Sequence, residues 1–244
     1  MQQHRIYTGQ PLQPGVAVIL EESPARHLTQ VLRLKPGAEI TLFNGDGHDY
    51  SARLDAVSRR TTSARVDQRL EPVEAPAPLQ IHLAIGISKG ERMDFAIQKA
   101  VELGVADITP LMTERCMVRL PPERQEKRLQ HWRQVIIAAC EQSGRRYIPT
   151  LNHVMDLNEW LRHRIAPGGI LLDHRAEHAL HELEPPKGEV TLLIGPEGGL
   201  SVDERTQAAA AGFTGVRLGP RVLRTETAPL AAIAAIQTLW GDFR

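Results

Sequence analysis

Two short stretches of this chain combine glycine, proline and ionisable side chains at spacings that could do chemistry. The first is Leu192-Leu193-Ile194-Gly195-Pro196-Glu197-Gly198-Gly199. Three glycines within five residues let main chain come close to a bound molecule, because no Cβ intervenes. The stretch lacks the Gly-Lys-Ser/Thr ending of a phosphate-binding P-loop and the spacing of a dinucleotide fingerprint. Pro196 also removes one of the N–H donors that a phosphate at a helix start would use. Main-chain groups here suit a flat, uncharged ring better than a pyrophosphate; an ordinary strand-to-helix turn has the same spacing. The second stretch is Leu218-Gly219-Pro220-Arg221-Val222-Leu223-Arg224-Thr225-Glu226-Thr227-Ala228-Pro229. Two arginines and a glutamate beside a glycine turn are costly to bury without a purpose. A solvated loop is the plain alternative.

Both stretches follow segments that read as strands, Val190–Ile194 and Val216–Leu218, and both precede helices. Ser201-Val202-Asp203-Glu204 is a capping box that opens a helix running to Ala211, and Pro229 to Trp240 is a final apolar helix. Upstream, Ile81–Ile87, Ile108–Met112 and Ile170–Asp173 read as buried strands. Glu91–Leu103, ending at Gly104, and Pro122–Ser143, ending at Gly144, read as helices. This alternation predicts an α/β fold: a mostly parallel sheet covered by helices on both faces, with ligands outside the carboxyl ends of its strands.

A different rhythm precedes it. Glu71–Gln80 carries Pro72, Pro76 and Pro78 and reads as a linker, which places a domain boundary near residue 75, between 1–74 and 75–244. Glu39–Asn44, Tyr50–Val57 and Thr62–Val66 alternate polar and apolar residues around the turn Asn44-Gly45-Asp46-Gly47. One helix comes first, with Ser23 as cap, Pro24 in its first turn and a stripe of Leu28, Val31 and Leu32. Several short strands in so small a domain suggest a compact barrel.

The 244 residues, 42% hydrophobic, can bury one large core or two modest ones. Equal numbers of basic and acidic side chains, 29 each, exclude a highly basic nucleic-acid coat and leave room for a local patch. Such a patch lies between residues 115 and 146, where eight basic residues face three acidic ones; a solvated helix face reads the same way. All but five of the basic residues are arginine, which suits phosphates and base edges, as it also suits GC-rich codon usage. Cys116 and Cys140 have no paired-motif spacing and fit buried thiols in a reduced cytosolic protein. The longest apolar run, Ala228–Ile236, is too short to cross a bilayer. His174, His178 and His181 could share a helical face, but no further ligand stands near in sequence, so no metal is expected.

Taken together, residues 192–199 and 218–229 closely resemble the signature of SPOUT-class methyltransferases. The nearest resemblance is to the family that methylates N3 of a uridine in 16S ribosomal RNA. Arg26-His27-Leu28 with Val31-Leu32-Arg33, Lys89-Gly90-Glu91-Arg92-Met93-Asp94 with Lys99, Glu102, Leu103 and Gly104, and Glu141-Gln142-Ser143-Gly144-Arg145 extend the likeness over nearly the whole chain. The resemblance implies a trefoil-knotted catalytic domain, a PUA-like RNA-binding barrel before it, a homodimer, and the small ribosomal subunit as partner. It also implies that S-adenosylmethionine is cradled by Leu172, by Ile194, Gly195, Pro196, Glu197, Gly198 and Gly199, and by Leu218, Gly219, Leu223, Arg224, Thr227 and Ala228.

The imide N3 of uracil is a poor nucleophile until its proton leaves, so the acceptor needs a base and a cation for the anion that forms. Arg224 is the first candidate for the cation, and Glu197, Glu226 and Glu141 for the proton acceptor. Arg5, Arg26, Arg33 and Lys35, with Lys89, Arg92 and Arg145, are candidates to grip RNA. Methylation of another RNA atom, such as a ribose 2′-hydroxyl or guanine N1, and a non-catalytic RNA-binding assembly factor are the competing readings.

Overall fold

In the computed structural model, which describes residues 4–57, 61–164 and 168–243, the chain forms two compact units. The first comprises residues 1–76 together with 140–148, and the second residues 77–139 and 149–244.

The first unit is a five-stranded sheet in the order β1-β3-β4-β5-β2, from β1 (Arg5–Tyr7), β2 (Ala17–Ile19), β3 (Glu39–Phe43), β4 (Asp49–Val57) and β5 (Thr62–Leu70). β3, β4 and β5 pair antiparallel as the alternation requires, and their inward residues Ile40, Leu42, Leu54, Ala64 and Val66 form the core with Ile6 and Leu28. The three-residue strands β1 and β2 carry too little alternation to be read from sequence. The expected single helix is a helical turn α1 (Glu22–Arg26) followed by a π-helical turn, His27–Val31. Ser23 lies inside α1 rather than capping it. The wider π turn keeps Leu28 buried but leaves Val31 67% exposed, outside the expected stripe.

Residues 140–148 complete this unit. Arg5 donates from Nε to Asp49 at 2.9 Å and from its terminal nitrogens to the carbonyls of Cys140 and Arg145 at 2.6 and 2.8 Å, while its guanidinium lies 3.8 Å from the Phe43 ring centre. Arg146 Nε reaches the other oxygen of Asp49 at 2.8 Å. Cys140 is fully buried, and burial pushes its thiol up to about 11, so it stays protonated and inert.

The second unit is an eight-stranded sheet. Its strands are β6 (Gln80–Gly86), β7 (Asp107–Met112), β8 (Thr150–Leu151), β9 (Met155–Asp156), β10 (Gly169–Leu172), β11 (His178–Ala179), β12 (Glu189–Ile194) and β13 (Phe213–Arg217). The order is β11-β13-β10-β12-β6-β7-β8, with β9 beside β7, and every pairing is parallel. The inner strands are nearly continuous in Val, Ile and Leu because both faces are covered. α4 (Leu157–His163) and α5 (Val202–Ala210) contribute Leu157, Leu161 and Ala208 to a core with Ala84, Leu111, Leu171 and Leu193. α2 (Glu91–Glu102) packs on α6 (Thr227–Trp240), where Gln237 donates to the carbonyl of Leu103 at 2.9 Å. α3 (Pro122–Ser143) is fixed to α2 by Asp94, which accepts from Trp132 Nε1 at 3.1 Å and lies 2.8 Å from His131 Nε2. No helix among the described residues is long and apolar enough to cross a membrane.

At the amino ends of the central strands His82 lies 2.5 Å from Asp107 and 3.7 Å from Glu189. The hydrogen bond with Asp107 is the main cause that raises the His82 pKa above its ordinary value. Because the folded value exceeds the unfolded one, this group's stabilisation is fully present below the unfolded value and fades as pH rises through the folded one. The melting temperature of the intact chain should therefore exceed that of His82→Asn by more at pH 6 than at pH 9, as differential scanning calorimetry would show; a constant difference would remove His82 from the account.

Candidate active site

Register decides where the chemistry can sit. Leu172 at the end of β10 is level with Ile194 on β12 and with Val216 on β13, and Ile194 is level with Ile85 on β6. Four parallel strands thus end side by side, and the glycine-bearing bends at 195–199 and 218–228 leave from the exits of β12 and β13, which flank β10. Between them lies a cleft of about 490 Å³, within the usual size range of small-molecule sites.

The backbone around the first bend is held at close quarters. A Cβ on Gly86 would lie 2.5 Å from the nitrogen and Cδ of Pro196, so the exit of β6 touches the first bend. A Cβ on Gly195 would lie 2.9 Å from the nitrogen of Leu200, which closes the bend on itself. A buried hydroxyl pair joins the second bend to β6: Thr225 Oγ1 lies 3.0 Å from Ser88 Oγ and 3.5 Å from the carbonyl of Gly195. Glu204 supports the first bend from below. One of its oxygens accepts from the Ser201 N–H at 2.8 Å, and the other from the Glu114 N–H at 2.7 Å. Glu204→Ala leaves the buried Ser201 N–H unsatisfied and removes the acceptor of the Glu114 N–H, and should cost about 1–3 kcal/mol in urea unfolding; a loss under about 0.5 kcal/mol would contradict that role.

Of the residues expected to hold the donor, Leu172, Ile194, Gly195, Pro196, Glu197, Gly198, Gly199, Leu218, Leu223, Arg224 and Ala228 line the cleft. Gly219 and Thr227 do not. Gly219 faces a separate groove beside α6, and the Thr227 N–H closes the first turn of α6 on the carbonyl of Arg224. Sequence reading missed Asp173, Arg175 and Arg205 at the β10 rim, where Arg205 Nε stands 3.4 Å from Asp173. It also missed Ser88 and Thr225. The position of Asp173 at the carboxyl end of a predicted strand was the one available signal.

Among the candidate acids and bases, Glu197 and Glu226 line the cleft and Glu141 does not. Glu141 belongs to the first unit, where it accepts the Tyr7 N–H at 3.0 Å and burial raises its pKa. Glu197 accepts the Lys89 N–H at 2.9 Å through Oε1, and its Oε2 is enclosed with no hydrogen-bond partner among the described residues. Arg92 Nη1 stands 3.4 Å from Glu197 and its Nε 4.0 Å from Glu226. An orphaned carboxylate oxygen beside a glycine-rich bend fits a ligand that brings both a donor group and a flat ring.

The basic candidates separate. Arg26, Arg33, Lys35 and Lys89 are exposed, and Arg92 lies in the cleft. Arg5 is engaged inside the first unit, where each of its three side-chain nitrogens already donates a hydrogen bond; Arg145 is half-buried there. The three histidines do not share a helix, since His174 lies in a loop, His178 in β11 and His181 in a 3-10 turn. Among the described residues no cluster of three or more side chains could hold a metal.

Residues 75–237 match the RNA methyltransferase domain family, and residues 20–66 match the RNA methyltransferase PUA domain. Ribosomal RNA small subunit methyltransferase E of Buchnera aphidicola subsp. Schizaphis graminum is 35% identical over 98% of this chain and 97% of its own length. The chain belongs to the ribosomal RNA small subunit methyltransferase E family. A crystal structure of a methyltransferase E from Neisseria gonorrhoeae, bound to S-adenosyl methionine, superposes with a TM-score of 0.91 at 41% identity, covering all of both chains. A Legionella pneumophila methyltransferase in complex with the same cofactor superposes with a TM-score of 0.95 at 40% identity, again over both full chains. The methyltransferase E family thus unites a PUA domain with a parallel-sheet catalytic domain of SPOUT type, and both are present here.

Proposed function

We propose that this methyltransferase E family member transfers a methyl group from S-adenosylmethionine to N3 of a uridine in the RNA of the small ribosomal subunit. The observation that supports the reading is the cleft that both glycine-bearing bends line at the carboxyl ends of β12, β10 and β13. S-adenosylmethionine, when bound, supplies an electrophilic methyl carbon on a positively charged sulfur. Leu172, Ile194, Gly195, Leu218 and Ala228 offer main-chain groups and small apolar surface to a flat ring, and the enclosed oxygen of Glu197 offers an acceptor.

The protein's own task is positioning, with the acceptor nitrogen in line with the methyl carbon. Arg224 is exposed on the cleft wall, with no hydrogen bond or ion pair from its side chain among the described residues. Its guanidinium is therefore available to a uracil carbonyl, where it stabilises the imide anion as N3 loses its proton. The base must leave its stack to reach this depth. Arg26, Arg33 and Lys35 offer exposed cations to the RNA backbone.

The same reading includes a knotted last helix and a homodimer. The groove beside α6, lined by Leu180, Pro220, Ala234, Ala235 and Leu239, offers apolar surface for a second copy. Nucleoside mass spectrometry of small-subunit RNA from a strain lacking this protein tests the reaction. Loss of 3-methyluridine is the expected result; loss of a ribose-methylated nucleoside or of 1-methylguanosine instead would overturn it.

A further inference from the structure

We propose that Glu226, oriented by Arg92, takes the proton from N3 of the target uracil, and that Glu197 does not. The inference rests on the N3 reading above and assigns the proton acceptor within it.

The three carboxylates differ in what already occupies them. Glu141 accepts the Tyr7 N–H in the first unit and does not line the cleft. Glu197 spans the gap between the first bend and the exit of β6: its Oε1 accepts the Lys89 N–H at 2.9 Å and faces Arg92 Nη1 at 3.4 Å. Its side chain is 14% exposed and its Oε2 is enclosed. Moving Glu197 toward a reacting atom would break the link that holds Lys89, so its geometry is that of a strut. Glu226 lines the same cleft, its side chain is 22% exposed, and no hydrogen bond ends on its carboxylate among the described residues. Its ion-pair partner among the described residues is Arg92, whose Nε stands 4.0 Å away. Arg92 lies between the two carboxylates, bonded toward Glu197 by one nitrogen and facing Glu226 with another. It restrains Glu226 without filling its lone pairs.

Glu226 stands two residues after Arg224 on the same bend. A uracil presents a carbonyl oxygen next to the N3 proton on one edge. A guanidinium donor and a carboxylate acceptor that line one cleft offer the two groups that edge requires. A cytosine would set its N3 lone pair against the carboxylate, so the same pair selects uridine over cytidine. In the step itself the N3–H bond breaks with its proton passing to the Glu226 carboxylate, and the N3 electron pair forms the new bond to the methyl carbon. The carbon–sulfur bond breaks with its pair returning to sulfur. The negative carboxylate and positive sulfonium become a neutral acid, a thioether and 3-methyluridine, and the acid later returns its proton to water.

The test is methyl transfer to small subunits lacking the modification, compared for the intact chain, Glu226→Gln and Glu226→Asp across pH, with donor affinity measured by calorimetry. Glu226→Gln should lower turnover by about 100-fold or more near neutral pH and leave donor affinity within about threefold. The deficit should shrink toward about pH 9, where hydroxide begins to ionise N3 without help from the protein. Glu226→Asp should recover part of the loss. A Glu226→Gln enzyme with turnover within a few-fold of the intact chain, or with a deficit that is the same at every pH, overturns the assignment; so does a donor affinity that falls in step with turnover. Product identity in the intact enzyme is scored separately, so a product other than 3-methyluridine defeats the N3 reading and leaves the pH comparison to judge Glu226.

Discussion

Arg224→Ala should reduce turnover by about 10²–10³-fold while the dissociation constant for S-adenosylmethionine stays within about threefold. The separation follows from how Arg224 is used. Its carbonyl accepts the N–H groups of Thr227 and Ala228 and so starts α6, a role that alanine keeps. Its side chain stands exposed on the cleft wall, so truncation leaves the fold's own hydrogen bonds intact. On the proposed reading, what is lost is a cation at the uracil carbonyl where charge develops, an interaction that strengthens only in the transition state. Calorimetry with the donor and single-turnover methyl transfer measure the two quantities independently. Parallel collapse of both would show Arg224 to be a structural part of the donor cradle.

Gly86→Ala should do the reverse and attack binding first. The added Cβ would stand 2.5 Å from two backbone-linked atoms of Pro196, and neither can rotate away as the end of a flexible side chain could. Either the exit of β6 or the first bend must shift, and the first bend lines the cleft. A loss of stability of about 1–3 kcal/mol and a donor affinity weakened by about tenfold or more are expected in urea unfolding and calorimetry. Gly219→Ala is the comparison. Gly219 has φ +71°, so alanine there is strained, but nothing lies within 4 Å of the added carbon and the residue faces away from the cleft. It should cost about 1 kcal/mol with donor affinity nearly unchanged. Equal loss of affinity in both variants would mean that the close approach at Gly86 is not what shapes the site.

Much of the second unit was legible because its elements announce themselves locally. The capping box at Ser201 and Glu204 is present as read, with the Glu204 N–H donating to Ser201 Oγ at 3.2 Å. The buried strands were continuous apolar runs, which is what burial on both faces selects. The short strands β1, β2, β8, β9 and β11 were not legible, since two or three residues cannot establish a period and form only because a longer neighbour offers a free edge. The π-helical turn at His27–Val31 was hidden for a similar reason, because it alters the period that the reading assumed.

Local chemistry in the sequence was enough to mark two bends where main chain could receive a ligand, and to place each after a strand and before a helix. Such features depend on a few adjacent residues: glycine without a Cβ, proline without an N–H, a side chain that caps its own helix. Only the tertiary structure decided which ionisable groups belong to the site. Arg5 is drawn to carbonyls 135 and 140 residues away, and Glu141 to an N–H 134 residues away, while Glu226 keeps an open carboxylate. Those partnerships follow from strand register and from which segments pack together across the chain, and no window of neighbouring residues contains that information.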